Sequence, residues 1–81
     1  MNITSTLEVY NNNNLVNTIN YDKDNSLFIL CSILMGEKLK KTNSKLSYYY
    51  DKQGHIIVNI ELKITEKLTY KYEFKGLDYI I

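Results

Sequence analysis

From Leu46 to Lys75 the chain changes polarity at almost every step. A strand with one buried face has that period of two. Leu46, Tyr48 and Tyr50 alternate with Ser47 and Tyr49. Ile56, Val58, Ile60, Leu62 and Ile64 alternate with Ile57, Asn59, Glu61 and Lys63. Leu68, Tyr70, Tyr72 and Phe74 alternate with Thr69, Lys71, Glu73 and Lys75. The pattern breaks at Asp51-Lys52-Gln53-Gly54, where an Asp can start a turn and a Gly can take positive φ. It breaks again at Thr65-Glu66-Lys67. The expectation is a three-stranded meander whose even-numbered residues face the core. Gly76 is expected to end the last strand, leaving Leu77–Ile81 as a short apolar tail.

The first half supplies the remaining elements. Leu7 and Val9 alternate with Glu8 and Tyr10. After Asn11–Asn14, Leu15, Ile19 and Tyr21 alternate with Val16, Thr18 and Asn20, with Asn17 a polar intruder on the apolar side. Asparagine tolerates the left-handed region and bonds its own backbone, so the four-Asn run reads as a hairpin turn. Asp24, Asn25 and Ser26 are each suited to cap a helix. Leu27, Phe28, Leu30, Cys31, Leu34 and Met35 then follow at helical spacing, and Ile29 and Ile33 widen the stripe beyond half a cylinder. Either Gly36 caps this helix or it runs on to Lys41, with Lys38, Lys40 and Lys41 complementing its dipole; the longer helix is favoured.

The order is therefore β-β-α-β-β-β. One helix across one face of a five-stranded, mostly antiparallel sheet gives a two-layer α+β fold. The 81 residues make a single domain, 1–81. A chain this short buries about 60–65% of its unfolded surface. Its core sustains roughly 3–5 kcal/mol of net stability.

Composition excludes several function classes. The chain is 44% hydrophobic, too apolar for a disordered segment, and its formal charge of +1 does not by itself select a polyanionic partner. One cysteine, Cys31, allows no internal disulfide and no multi-cysteine zinc site. Cys31 is expected to be a small buried apolar residue in a protein of the reducing cytoplasm. The N-terminus, Met-Asn-Ile-Thr-Ser-Thr, lacks the charge and apolar run of a signal peptide. The longest apolar stretch, Leu27–Met35, falls well short of the roughly 18–20 residues that span a bilayer. All ten basic residues are Lys, with no Pro and no Trp and heavy use of Asn, Ile and Tyr. That bias fits an AT-rich coding sequence, such as one from a low-GC bacterium, a phage or a mobile element.

Catalysis needs a nucleophile, an acid–base group and something to orient them. His55 is the sole histidine and follows the Gly54 turn, where an exposed turn residue is expected. Cys31 within an apolar stripe would be inert. Asp22 and Asp24 flank the helix start, where they favour its dipole. Glu61 and Glu73 lie near Lys63 and Lys71 on outward strand positions, as cross-strand ion pairs would. The three glycines are too scattered for a phosphate loop. No enzyme activity, cofactor or metal is expected.

A binding role remains. The open sheet face would carry Ser47, Tyr49, Ile57, Asn59, Glu61, Lys63, Thr69, Lys71 and Glu73. Tyr49 and Ile57 would form an apolar anchor inside a polar rim that includes Lys63 and Lys71. The expected function is a small protein that binds a macromolecular partner, most of all a protein, and acts stoichiometrically, as accessory and inhibitor proteins of phages or mobile elements do. One alternative is a nucleic-acid or nucleotide binder, because residues 36–81 hold nine lysines against six acids and Tyr49 could stack on a base. Another is a structural subunit of a homo-oligomer, since an uncovered edge strand invites pairing and a small core gains from it. A homodimer is expected as often as a monomer, and the apolar tail is a second candidate surface.

Overall fold

The computed structural model describes residues 4–36 and 43–77. Its elements are β1 (Thr4–Asn11), β2 (Asn14–Tyr21), α1 (Lys23–Leu34), β3 (Asn43–Tyr50), β4 (Ile56–Lys63) and β5 (Leu68–Leu77). They form one five-stranded sheet in the order β2-β1-β5-β4-β3, antiparallel at every pairing. The α+β architecture and the element order are those read from the sequence.

The topology follows from two local units. β1 and β2 form a hairpin whose turn residues Asn12 and Asn13 have φ of 53° and 66°. Paired left-handed residues give the turn whose twist matches the flanking strands. β3, β4 and β5 form the meander. The units join by pairing β1 with β5. That leaves β2 and β3 on opposite edges, about 19 Å apart at four strand spacings. The 12-residue helix between them is about 18 Å long, enough to carry the chain across the sheet.

The helix begins at Asp22, not at the expected Asp24, Asn25 or Ser26. An Asp22 carboxylate oxygen accepts from the Asn25 N–H at 2.9 Å. The helix ends at Leu34. Gly36, at φ 102°, donates its N–H to the Ile33 carbonyl, so the shorter of the two expected helices forms. Residues 37–42, which the longer helix would have used, lie outside the described residues.

The buried face of α1 also differs from the expected stripe. Ser26, Leu30 and Ile33 are buried, and Ile29 packs against the core from its edge. Phe28, Cys31, Leu34 and Met35 are exposed, Phe28 by 75% and Met35 by 85%. Cys31 is thus a surface thiol. The segment is apolar almost all round, so periodicity could not choose a face. Ser26 chooses it. Its hydroxyl donates to the Asp22 carbonyl and meets the Ser5 hydroxyl of β1 at 2.8 Å, which pins that side of the helix to the sheet.

The core joins Leu30 and Ile33 to Leu7, Ile56, Val58, Ile60, Leu62, Tyr72 and Phe74. The even-numbered residues of β4 and β5 therefore face the helix as the alternation requires. Tyr72 and Phe74 stack with ring centroids 5.9 Å apart. Burial pushes the Tyr72 phenol above its usual range, and neighbouring Tyr21 and Tyr70 add to the shift. On β3 the even-numbered face stays open: Leu46, Tyr48 and Tyr50 are 46%, 56% and 63% exposed. The helix layer does not reach this edge.

Two bulges depart from strict alternation. In the first hairpin Val9 pairs with Asn17 but Tyr10 with Leu15, so Val16 is an extra residue and Leu15 joins the side of Tyr10. In β5 the ladder runs Val58–Phe74 and then Ile56–Leu77. β5 therefore does not end at Gly76. Gly76 sits within it at φ 85°, the left-handed conformation that this kind of bulge uses.

Candidate functional site

The sheet face away from the helix is built from cross-strand rows, because directly opposed residues share a face. One row runs Thr18, Glu8, Lys71, Glu61, Lys45, from β2 to β3. Its four charges alternate in sign. The next row runs Asn20, Thr6, Glu73, Asn59, Ser47 and is polar throughout. Over these two rows lies an open depression of about 500 Å³.

Lys71 is the centre of the charged row. Its Nζ lies 4.0 Å from the Glu61 carboxylate and 4.5 Å from the centroid of the Tyr10 ring. The ion pair is nearly half exposed, so it sets the direction of the lysine more than it stabilises the fold. The cation over the ring adds a small attraction that helps fix the direction of the lysine. The Tyr10 hydroxyl titrates above its usual range, first through desolvation and then through the carboxylate of Glu8. Lys75 pairs with Glu73 at 3.1 Å on the same strand.

The four residues expected to form a contact patch are not brought together. Tyr49 and Ile57 are register partners near one end of β4, whereas Lys63 ends that strand. Six residues of extended chain separate Ile57 from Lys63 by about 20 Å. Tyr49 is 47% exposed, and Lys63 and Lys71 are exposed too. Ile57 is not: it is 7% exposed and offers no anchor to a partner. Its neighbours Ile56 and Val58 both belong to the core under the helix, so Ile57 keeps its odd-numbered place on the other face, across from Tyr49, and is buried there without joining the core cluster. The apolar tail, as residues 78–81, lies outside the described residues.

Three contributors were missed from the sequence: Glu8 and Tyr10 of β1 and Lys45 of β3. The first two join the site because β1 pairs with β5, a contact between distant segments that no local pattern announces. Their alternation with Leu7 and Val9 was the available signal. Lys45 lies one residue before the first alternating position of β3.

His55 is half-buried in the β3–β4 turn, with its Nδ1 3.7 Å from the Asp51 carboxylate. Asp51 organises that turn: one carboxylate oxygen accepts from the N–H groups of Gln53 at 2.8 Å and His55 at 2.9 Å. Cys31 lies on the outward face of the helix. No three His, Cys, Asp or Glu side chains among the described residues are grouped to hold a metal ion. No helix among them is long and apolar enough to cross a membrane.

Comparison with protein families, with characterised proteins and with solved structures yields no match to any of the three.

Proposed function

We propose that this chain is a non-catalytic binding protein that docks a protein partner on the open face of its sheet and acts stoichiometrically. The observation that carries the reading is the row of alternating charges through Glu8, Lys71, Glu61 and Lys45, beside an uncovered polar depression. A nucleic-acid strand would need an unneutralised basic track. Here each lysine of the row stands across from a carboxylate, and Lys71 is already turned toward Glu61 and Tyr10. Such a row instead suits a surface of mixed charge, where complementarity fixes register and rejects wrong partners. Tyr49 and Tyr10 supply aromatic contact at its margins. The exposed single thiol of Cys31 suits a reducing compartment such as the cytoplasm. Size and coding bias fit an accessory or inhibitor protein of a phage or mobile element.

The test is affinity capture from the native cell lysate, with and without nuclease, comparing the wild type with Lys71→Glu. The expected result is a stoichiometric protein partner that survives nuclease and is lost with Lys71→Glu. Equal capture by the folded variant would remove the open face from consideration. Capture abolished by nuclease would replace the protein partner with a nucleic acid.

A further inference from the structure

We infer that a second copy of this chain pairs with β3, edge to edge and antiparallel, joining two five-stranded sheets into one. The inference is independent of what the open face binds.

The two sheet edges differ. β2 is broken by the bulge at Val16, and a bulge that twists an edge is one way proteins prevent strand addition. β3 has no such interruption: all eight residues pair with β4 in unbroken register, and among the described residues β3 has a neighbour on that side only. The helix leaves its even-numbered row, Leu46, Tyr48 and Tyr50, about half exposed. Tyr48 and Tyr50 pack edge to face at 6.4 Å, which forms one apolar strip along the edge. A long, regular, apolar edge is the kind that recruits another strand.

The strand is also self-complementary in one register. Antiparallel partners share a face, so an axis must set even-numbered residues opposite even and odd opposite odd. With the two-fold axis on Tyr48, Leu46 meets Tyr50 of the second copy, Tyr48 meets Tyr48, and the apolar strip becomes continuous across both chains. On the other face the same register sets Lys45 against Asp51, twice by symmetry. Asp51 follows the strand directly and still bonds across the hairpin, its N–H to the His55 carbonyl at 2.9 Å. Lys45 is the last member of the alternating row, and Asp51 of the second copy would continue the alternation. Moving the axis to Ser47 sets Lys45 against Tyr49, and moving it to Tyr49 sets it against Gln53. Neither makes the charge pair.

The test is molar mass by light scattering and sedimentation, from micromolar protein to about 1 mM. Three variants accompany the wild type, each checked for native circular dichroism: Tyr48→Lys, Lys45→Asp and, as a control elsewhere on the surface, Lys63→Asp. The expected wild-type mass at high concentration is twice that of the 9.6 kDa chain. Tyr48→Lys is expected to stay single-chain throughout. Lys45→Asp should raise the dissociation constant at least tenfold, an effect that salt reduces, while Lys63→Asp should match the wild type. A wild type of single-chain mass at every concentration overturns the inference, as does a Tyr48→Lys variant that dimerises normally. An unaltered dissociation constant for Lys45→Asp overturns the register.

Discussion

Two side chains of modest size decide local structure out of proportion to their burial. Ser26 has one hydroxyl proton, and the Asp22 carbonyl takes it, so the Ser5 hydroxyl must donate to Ser26. Both serines are buried, at 0% and 3% exposure. Ser26→Ala therefore strands a buried donor and should cost about 1–3 kcal/mol, while Ser5→Ala removes one bond and leaves Ser26 satisfied, costing on the order of 1 kcal/mol or less. Urea unfolding of the singles and the double should show the double well short of their sum; additive costs would mean that the hydroxyls do not interact. Asp51 makes a separate prediction. Backbone donors, His55 first, hold its carboxyl below the usual range. A depressed folded-state pKa stabilises fully above the unfolded value, about 3.9, and that contribution is lost as pH falls through the folded value. Asp51→Asn keeps an acceptor for the same N–H groups but does not titrate. The thermal midpoint of the wild type should exceed that of Asp51→Asn at about pH 6, and the gap should shrink toward pH 2. A gap that holds constant with pH would show that the turn does not depend on the charge.

At the scale of elements, strands were legible and the helix face was not. Alternation identifies β4 and β5 because each has a clear polar side. The helix segment from Leu27 to Met35 has almost none, so its orientation rests on Ser26, a polar residue that a hydrophobic stripe search discards. Mutations can read the orientation directly. Ile33, fully buried, should cost about 2–5 kcal/mol when cut to Ala. Phe28, outward and largely exposed, should cost within about 0.5 kcal/mol. The expected stripe predicts the reverse order, so unfolding the two variants side by side separates the cases. The β5 bulge was equally hidden, since Gly76 reads as a strand end as readily as a left-handed bulge residue. Ile57, buried at 7% exposure on the face away from the core cluster, should still lose about 2–5 kcal/mol on truncation to Ala. Loss of partner capture in an Ile57→Ala variant would then report unfolding and not a lost contact.

For the whole molecule, the open-face rows required knowing which strand lies beside which. The meander strands β3, β4 and β5 were placed by short turns, and half of the charged row, Glu61 and Lys71, follows from them. Glu8 and Tyr10 depend on the β1–β5 pairing, which closes a loop of more than fifty residues and leaves no local trace. The same topology explains why β3 is exposed. The helix packs Leu30 and Ile33 among core residues of β1, β4 and β5 and none of β3, so the face of β3 stays outside its cover. A small domain with a core of this size gains stability from any partner that binds only the folded state. If β3 pairs with a second copy, folding and association are linked, and dilution must weaken both. The urea midpoint of the wild type should rise steadily with protein concentration, by RT ln 10 per mole of dimer, or about 0.7 kcal/mol of apparent stability per chain for each tenfold increase where dimer dominates. The Tyr48→Lys midpoint should be flat over the same range. Identical, concentration-independent midpoints would mean that the tyrosine edge contributes nothing to stability in solution, and that the domain folds on its own core alone.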